Sequence, residues 1–432
     1  MASGEAPRRC GRTTRDDPVG TTSPALITIR VRLIRQIARA SAVVALGAIP
    51  AFLTGALAVQ MRADFDLPAS TLGLLVGLFF GCAAIASGPG GWAVQRLGAR
   101  TGMRISFLGA GASMAGIALL AHDAGVLGLF LVIGGLSNAL AHPSANLRLV
   151  RSIPVGRRAL ALGIKQAAIP TATLLAGLSV PVLALTVGWR WAFGAAAVAA
   201  LLLAAVPDRG EVAAAASENP VRATPGGLSA APSAGRLTML LLTIGATLGI
   251  WGGQSLGTFL VSYAVDRGVT EAAAGLMLTV ASLGGVFARV GAGWTIDRRR
   301  GSGLAELRVM LLVGAAGLLL LSTGIPALIW LGAIPAFAGG WGWTGVLTYV
   351  VVRTYPGAPA AATGVAQAGV FVGATVGVPV FGMVVEAATF ATAWMATAAS
   401  ATAAVAIMTL AHRRLSGQAR AGTGAPVGDA PV

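Results

Sequence analysis

The feature that most constrains this chain is a succession of twelve long apolar segments. Each is close to the roughly 20 residues that a helix needs to cross a bilayer. Only 11% of the 432 residues are charged, whereas soluble proteins carry roughly 25%. Because backbone polar groups inside a bilayer must be satisfied internally, these segments predict an all-α membrane protein with twelve transmembrane helices. The predicted spans are 40–60, 70–92, 104–121, 126–147, 159–186, 189–206, 237–263, 271–295, 309–325, 327–351, 360–384 and 388–411.

The two halves of the chain repeat each other. Gly73 and Gly275 are separated by 202 positions, and so are Arg151 and Arg353. One position closer, the run 163–167 (Gly-Ile-Lys-Gln-Ala) aligns with 364–368 (Gly-Val-Ala-Gln-Ala). Several anchors at one offset indicate a duplicated half. We therefore predict two pseudo-symmetric six-helix bundles of the kind that secondary transporters use.

The arginines set the predicted orientation. With the N-terminus in the cytoplasm, the inward segments hold 26 Arg and the outward loops hold 3. The positive-inside rule then places both termini in the cytoplasm of a multi-pass protein of the cell (inner) membrane. This distribution also accounts for the net charge of +16, so the charge does not indicate a nucleic-acid partner. The predicted domains are a disordered basic cytoplasmic arm (1–38), a six-helix bundle (39–206), a cytoplasmic linker (207–236), a second six-helix bundle (237–412) and a cytoplasmic tail (413–432).

A short motif of glycine and arginine follows the second span and recurs after the eighth. The first copy runs from Gly91 to Arg100 and the second begins at Gly293. In this motif and its repeat the chain resembles the major facilitator superfamily, from about Arg39 to about His412. The first copy departs from the family pattern because Gln95 stands where the family has an acid.

The resemblance implies a twelve-helix transporter that works by alternating access, with the motif acting as a conformational latch between the halves. The glycines would allow close backbone approach, and the charged residues would meet helix ends and opposite charges. The alternative is that these charges only set topology. The expected latch residues are Gly91, Gln95, Arg96, Gly98, Arg100, Gly293, Asp297 and Arg298.

Lys165 is the most informative single residue. It lies about 10 Å into the fifth span, and its repeat mate is Ala366. A charge there costs at least about 2.5 kcal/mol unless it faces a cavity or a partner. Lys165 either extends to the inner surface or faces a central cavity beside Gln166, where it would bind substrate.

Three further sets of polar residues are candidate substrate contacts. Asn138, His142 and Asn146 share one face of the fourth span, which serves either interhelical hydrogen bonding or, through an imidazole that normally titrates near pH 6.5, a coupling proton. Arg289 in the eighth span is either an anion contact, as the resemblance implies, or a structural tie. Gln254 and Tyr263 offer neutral hydrogen bonding from the seventh span.

These residues favour a carrier of a small solute over other classes. The spans contain no Ser/His/Asp set, metal-ligand spacing or intramembrane acid pair, so neither an enzyme nor a bound metal or cofactor is expected. A non-transporting receptor would need a larger soluble domain. A small organic anion is the expected substrate, and a drug or metabolite efflux carrier is the alternative. The expected partners are the solute, the bilayer and a coupling proton. The chain is expected to act as a monomer.

Overall fold

The computed structural model describes residues 24–153, 161, 163–207, 235–299, 303–356 and 359–423. In these residues the regular structure is helical, as the apolar spans predict. The twelve long helices are α1 (Pro24–Ala56), α2 (Ala69–Leu97), α3 (Ala99–Leu120), α4 (Ala124–Ser152), α5 (Gly163–Ala184), α6 (Trp189–Ala205), α7 (Arg236–Asp266), α8 (Glu271–Arg299), α9 (Leu304–Ser322), α10 (Pro326–Thr354), α11 (Pro359–Ala387) and α12 (Phe390–Thr423).

Ten of these helices are long and apolar enough to cross a membrane by length and composition. Helix α6, with 17 residues, and helix α10, with 29, complete the twelve. Within the first half α4 packs on α1, α2 and α3, and within the second half α9 packs on α10 and α12. The prediction of an all-α protein with twelve membrane helices is confirmed.

The first and last helices extend further than expected. Helix α1 begins at Pro24, so residues 24–38 of the expected disordered arm are helical. A proline suits the first helical position, and no glycine or other proline interrupts the chain before Gly47. Helix α12 likewise continues into the expected tail, as far as Thr423. The rest of the arm, linker residues 208–234 and the end of the tail lie outside the described residues.

The two bundles meet through two equivalent helix crossings. We call the end that carries the α1–α2 and α7–α8 connections the distal face and the opposite end, predicted to be cytoplasmic, the terminal face. A Cβ on Gly73 of α2 would lie 2.7 Å from the carbonyl oxygen of Val378 in α11. A Cβ on Gly275 of α8 would lie 2.7 Å from the carbonyl oxygen of Gly177 in α5. The backbones therefore approach closely in the distal half, at positions that the repeat relates.

Polar contacts join the same end of the bundles. Gln60 Nε2 donates to Glu271 Oε2 at 2.6 Å, between the short helix after α1 and the start of α8. The backbone N–H of Ser70 donates to Glu386 Oε1 at 2.9 Å, so a carboxylate of α11 binds the N-terminus of α2. A carboxylate is favoured there because the first N–H groups of a helix lack backbone partners. The structure is thus closed at the distal face.

Candidate functional site

A proline in α5 determines the local backbone of the site. In a regular helix the carbonyl of Gln166 would accept from the N–H of residue 170, but residue 170 is proline and has none. The helix loosens at this point: Ala167 is a turn residue whose N–H is shared between Gly163 and Ile164, with N···O distances of 3.3 and 3.1 Å. The Gln166 carbonyl is therefore free to accept another donor.

Arg289 of α8 supplies that donor. One of its terminal nitrogens, Nη1, donates to the main-chain oxygen of Gln166 in the first bundle. Its Nε donates to the carbonyl of Trp341 at 3.0 Å and its Nη2 to Thr344 Oγ1 at 2.8 Å, both in α10 of the second bundle. The side chain is 9% exposed. Arg289 thus joins the two bundles through neutral acceptors.

Lys165 is a second buried cation in this region, and it is only 3% exposed. Its Nζ donates to Asn146 Oδ1 of α4 at 2.9 Å. Lys165 is close enough to Arg289 to interact with it electrostatically, and His142 is close enough to interact with both. In the described part of the chain neither cation forms an ion pair with a carboxylate. Two positive side chains therefore share a buried region without a compensating acid.

Buried polar atoms without a protein partner lie on the helices of the same region. They include the side-chain oxygens of Asn138, Gln166 and Gln254 and the indole nitrogens of Trp251 and Trp341. A buried polar atom without a hydrogen bond costs about 1–3 kcal/mol. These atoms are therefore available to a polar ligand or to water.

Trp341 closes the region on the distal side. Its ring centre is 6.0 Å from that of Phe52 in α1, in an edge-to-face arrangement, and the Arg289 guanidinium is 5.8 Å from the ring. A Cβ on Gly253 of α7 would lie 3.2 Å from the Trp341 indole. Helices of both bundles therefore pack on this indole, between the cations and the distal face.

The structure brings together most of the residues expected to bind substrate. Lys165 and Asn146 are hydrogen-bonded, and His142 lies near Lys165 and Arg289. Gln166 contributes its backbone oxygen to Arg289. Asn138 is buried about two turns before Asn146 on α4. A Cβ on Gly47 of α1 would lie 3.0 Å from its Oδ1. Gln254 is buried next to the Gly253 contact with Trp341.

Tyr263 is not brought into this group. Its hydroxyl donates to the carbonyl of Leu321 at the distal end of α9. Its ring packs against Phe390 and Trp394, with ring centres 5.2 and 5.7 Å away. Tyr263 is nine residues after Gln254, which turns it by about 180° around α7. It therefore belongs to the packing of the second bundle.

Thr344 is a contact that the sequence does not single out. It binds Arg289 and also lines a small cavity between α10 and α11 with Thr348 and Gln367. Gln367 is the repeat mate of Gln166, and this relation is the sequence feature that could have indicated these cavity-lining residues of α10 and α11. The second bundle thus offers hydroxyl and amide groups where the first offers Lys165.

Two of the expected latch glycines make no close helix contact in this distally closed structure. A Cβ on Gly91 or on Gly98 would meet no atom within 4 Å. Gly98 is instead needed for its φ of +85° in the turn between α2 and α3. Gln95 and Arg100 are exposed.

The remaining latch residues are described only in the first copy of the motif. Arg96 lies 3.8 Å from the ring centre of Trp92, one turn earlier on α2, and makes a cation–π contact there. The surroundings of Gly293 and the side chains of Asp297 and Arg298 are not among the described features. The latch therefore stays a prediction.

A sequence model of the Major Facilitator Superfamily matches residues 40–307. The chain belongs to this superfamily. Its match begins within α1 and extends to the start of α9, which includes both copies of the loop motif. Members of the superfamily are membrane transporters, so this chain is a multi-pass membrane transporter of the superfamily.

Solved superfamily structures share the fold at low sequence identity. A bacterial homologue of the human lysosomal transporter Spinster, inward-facing and occupied, matches with a TM-score of 0.61 and 17% identity, over 89% of this chain and 96% of that one. The xylose transporter XylE from E. coli, partially occluded and inward open, matches with a TM-score of 0.68 and 16% identity, over 87% and 98%. A point mutant of the nucleoside transporter NupG matches with a TM-score of 0.67 and 15% identity, over 89% and 99%. No curated protein sequence matches this chain.

Proposed function

We propose that this superfamily member transports a small organic anion by alternating access between its two bundles. The observation that carries the proposal is Lys165, a buried cation whose hydrogen-bond partner is the neutral amide of Asn146. A buried cation is unstable unless it finds an anion, reaches water or loses its proton. An anionic substrate beside Lys165 and Arg289 supplies the missing charge.

The surrounding groups would orient such a substrate. The side-chain oxygens of Gln166 and Gln254 accept hydrogen bonds, and the Trp341 indole donates one. A molecule with a carboxylate at one end and hydroxyl groups elsewhere would satisfy both kinds of group. Lys165 can lose its proton when no anion is bound, whereas Arg289 stays charged. His142 lies beside Lys165 and would pass this proton on, so anion and proton movement would be coupled.

The proposed orientation follows from the arginine pattern, and the monomeric state is a further part of the proposal. The protein would lie in the cell membrane as a monomer, with both termini and the linker in the cytoplasm. Anion binding, proton transfer and movement of the bundles are the steps of this scheme, and none of them uses a metal or cofactor.

A ligand screen tests the proposal on the purified full chain. Acetate, lactate and succinate are compared with their neutral amides, which have nearly the same shape, and with cationic amines, using thermal stability as the readout. We expect a carboxylate to stabilise the protein and its amide not to. Stabilisation by the amines alone would contradict the anion proposal and favour the drug efflux alternative.

Variants of Lys165 then test whether its positive charge binds the carboxylate. Lys165→Gln should weaken carboxylate binding roughly 10- to 150-fold, since a hydrogen bond to a charged group contributes about 1.5–3 kcal/mol. Lys165→Arg should keep binding and change its pH dependence, because Arg does not lose its proton. Arg308→Gln is the matched control, since Arg308 binds Leu304 and Thr409 away from the site. If Lys165→Ala transports its substrate normally in vesicles, Lys165 does not bind the substrate and the proposal is wrong.

A further inference from the structure

Two contacts between the bundles, the α5–α8 seam and the α2–α11 seam, are related by the repeat but differ in their polar bonds. Helices α5 and α8 run antiparallel and contact each other from Gly177 and Gly275 through Thr173 and Ser282, whose hydroxyl oxygens are 2.8 Å apart. The seam then continues toward the terminal face to the bond between Gln166 and Arg289. The α5–α8 seam is therefore joined along most of its length.

In the described residues the α2–α11 seam has no hydrogen bond equivalent to that between Arg289 and Gln166. The repeat mates of Arg289 and Gln166 are Ser87 and Gln367. Ser87 is too short to span a seam, and its hydroxyl donates to Ala83 within α2 at 2.5 Å. The bond between Arg289 and Gln166 is thus an addition to one side of a symmetric framework.

Pro170 is what makes this bond available. It removes the N–H that would otherwise occupy the Gln166 carbonyl, and its repeat mate is Phe371, which keeps an N–H. A helix carbonyl with no backbone donor is a good acceptor for a guanidinium. It is nevertheless a dipole and not a charge, so it compensates Arg289 less well than a carboxylate would.

We propose that Pro170 is a positioning residue that turns the α5–α8 seam into an anion-operated closure. In the protein without substrate, the Gln166 carbonyl accepts the Arg289 hydrogen bond that the anionic group of the substrate would otherwise accept, and this bond keeps the seam closed. An anionic substrate takes Arg289 from the carbonyl and releases the seam, which links binding to movement of the bundles. This inference rests on the proposed anion transport.

The first test needs no ligand. Spin labels at Ile164 of α5 and Gly291 of α8, both exposed and near the terminal end of the seam, report the α5–α8 distance in a background without cysteines. Pro170→Ala restores the N–H that competes for the Gln166 carbonyl, so the distance should lengthen. Pro143→Ala in α4 is the control, because the carbonyl that Pro143 frees belongs to Ala139, away from Arg289. An unchanged distance in Pro170→Ala overturns the proposal.

A double-mutant comparison separates this role from a general loosening of α5. Arg289→Gln should lengthen the distance as Pro170→Ala does, and the two changes together should add nothing, because both act through one hydrogen bond. Additive effects would overturn the proposal. Pro170→Gly also restores the N–H and replaces Pro170→Ala if that variant does not fold.

Measurements of carboxylate binding distinguish this inference from the proposed function. Pro170→Ala should bind a carboxylate about tenfold more tightly than the wild type, since Arg289 is partly released beforehand, whereas a merely damaged helix would bind it less tightly. Succinate and acetate are the probes, with their amides as controls. If carboxylates stabilise the wild type but leave the seam distance and the Pro170→Ala affinity unchanged, the closure is wrong while anion binding stands. If no carboxylate binds, the proposed function fails, and with it the displacement of Arg289 from the Gln166 carbonyl.

Discussion

Replacing Gly275 by alanine should open the distal face. The new Cβ would lie 2.6 Å from Val180 Cβ and 2.7 Å from the Gly177 oxygen, and 3.0 Å from Pro181 Cδ. Carbon atoms normally pack at about 3.5–4.0 Å, so α5 and α8 must separate by several tenths of an ångström. Such overpacking costs about 1–3 kcal/mol. Because the cost falls on the distally closed state, the ratio of open to closed molecules should rise about 5- to 150-fold.

Distances between spin labels measure this shift. Ala63 and Ala388 are exposed on the distal connections of the first and second bundles, and both native cysteines are first replaced by serine. Gly291→Ala is the matched control, since a Cβ at Gly291 of the same helix meets no atom within 4 Å. Both changes favour the helix equally, so only Gly275→Ala should lengthen the label distance. Equal distance distributions for the two variants would refute the argument that this crossing closes the distal face.

Three further predictions concern the distal closure, the topology and the latch. Glu386→Gln keeps the shape of the side chain but removes the charge that binds the N–H of Ser70. The Ala63–Ala388 label distance should therefore shift toward that of the open state. The shift should be smaller than in Gly275→Ala, because a charge at a helix end contributes about 0.3–1 kcal/mol. Reporter proteins fused after Ala231 and at the C-terminus should both score cytoplasmic, and a periplasmic score for either would contradict the predicted orientation. Asp297→Asn should change chemical labelling of the distal vestibule more than Gln95→Ala does, since only Asp297 carries the charge expected of the latch; equal changes would leave the latch prediction without support.

The helices and their pairing could be predicted because membrane helices leave strong one-dimensional signals. Length, apolarity and the 202-residue offset are read directly from the chain. The ends were less predictable, since α1 begins at Pro24 in a segment whose arginines suggested an unfolded arm. A basic segment without glycine or proline is still a good helix former. Charge alone was therefore a poor guide to disorder.

The site could be predicted in part, and helix geometry explains the difference. Lys165 and Asn146 were both candidates, but their bond depends on the rotation of α5 relative to α4, which sequence spacing does not give. Tyr263 could have been set aside from the sequence, because nine residues place it opposite Gln254 on α7. The free carbonyl of Gln166 was also readable from Pro170. Its pairing with Arg289 required the packing of the two bundles.

The crossings of α2 with α11 and of α5 with α8 have a consequence for how this protein can evolve. Gly73 and Gly275 bring main chain against main chain, and a backbone has the same shape whatever side chains it carries. Mutations of cavity side chains other than Arg289 therefore leave these two crossings intact, provided that the two glycines remain. Selection can therefore change the substrate through the cavity side chains. The lack of a side chain at Gly73 and Gly275 meanwhile keeps the helix crossings unchanged.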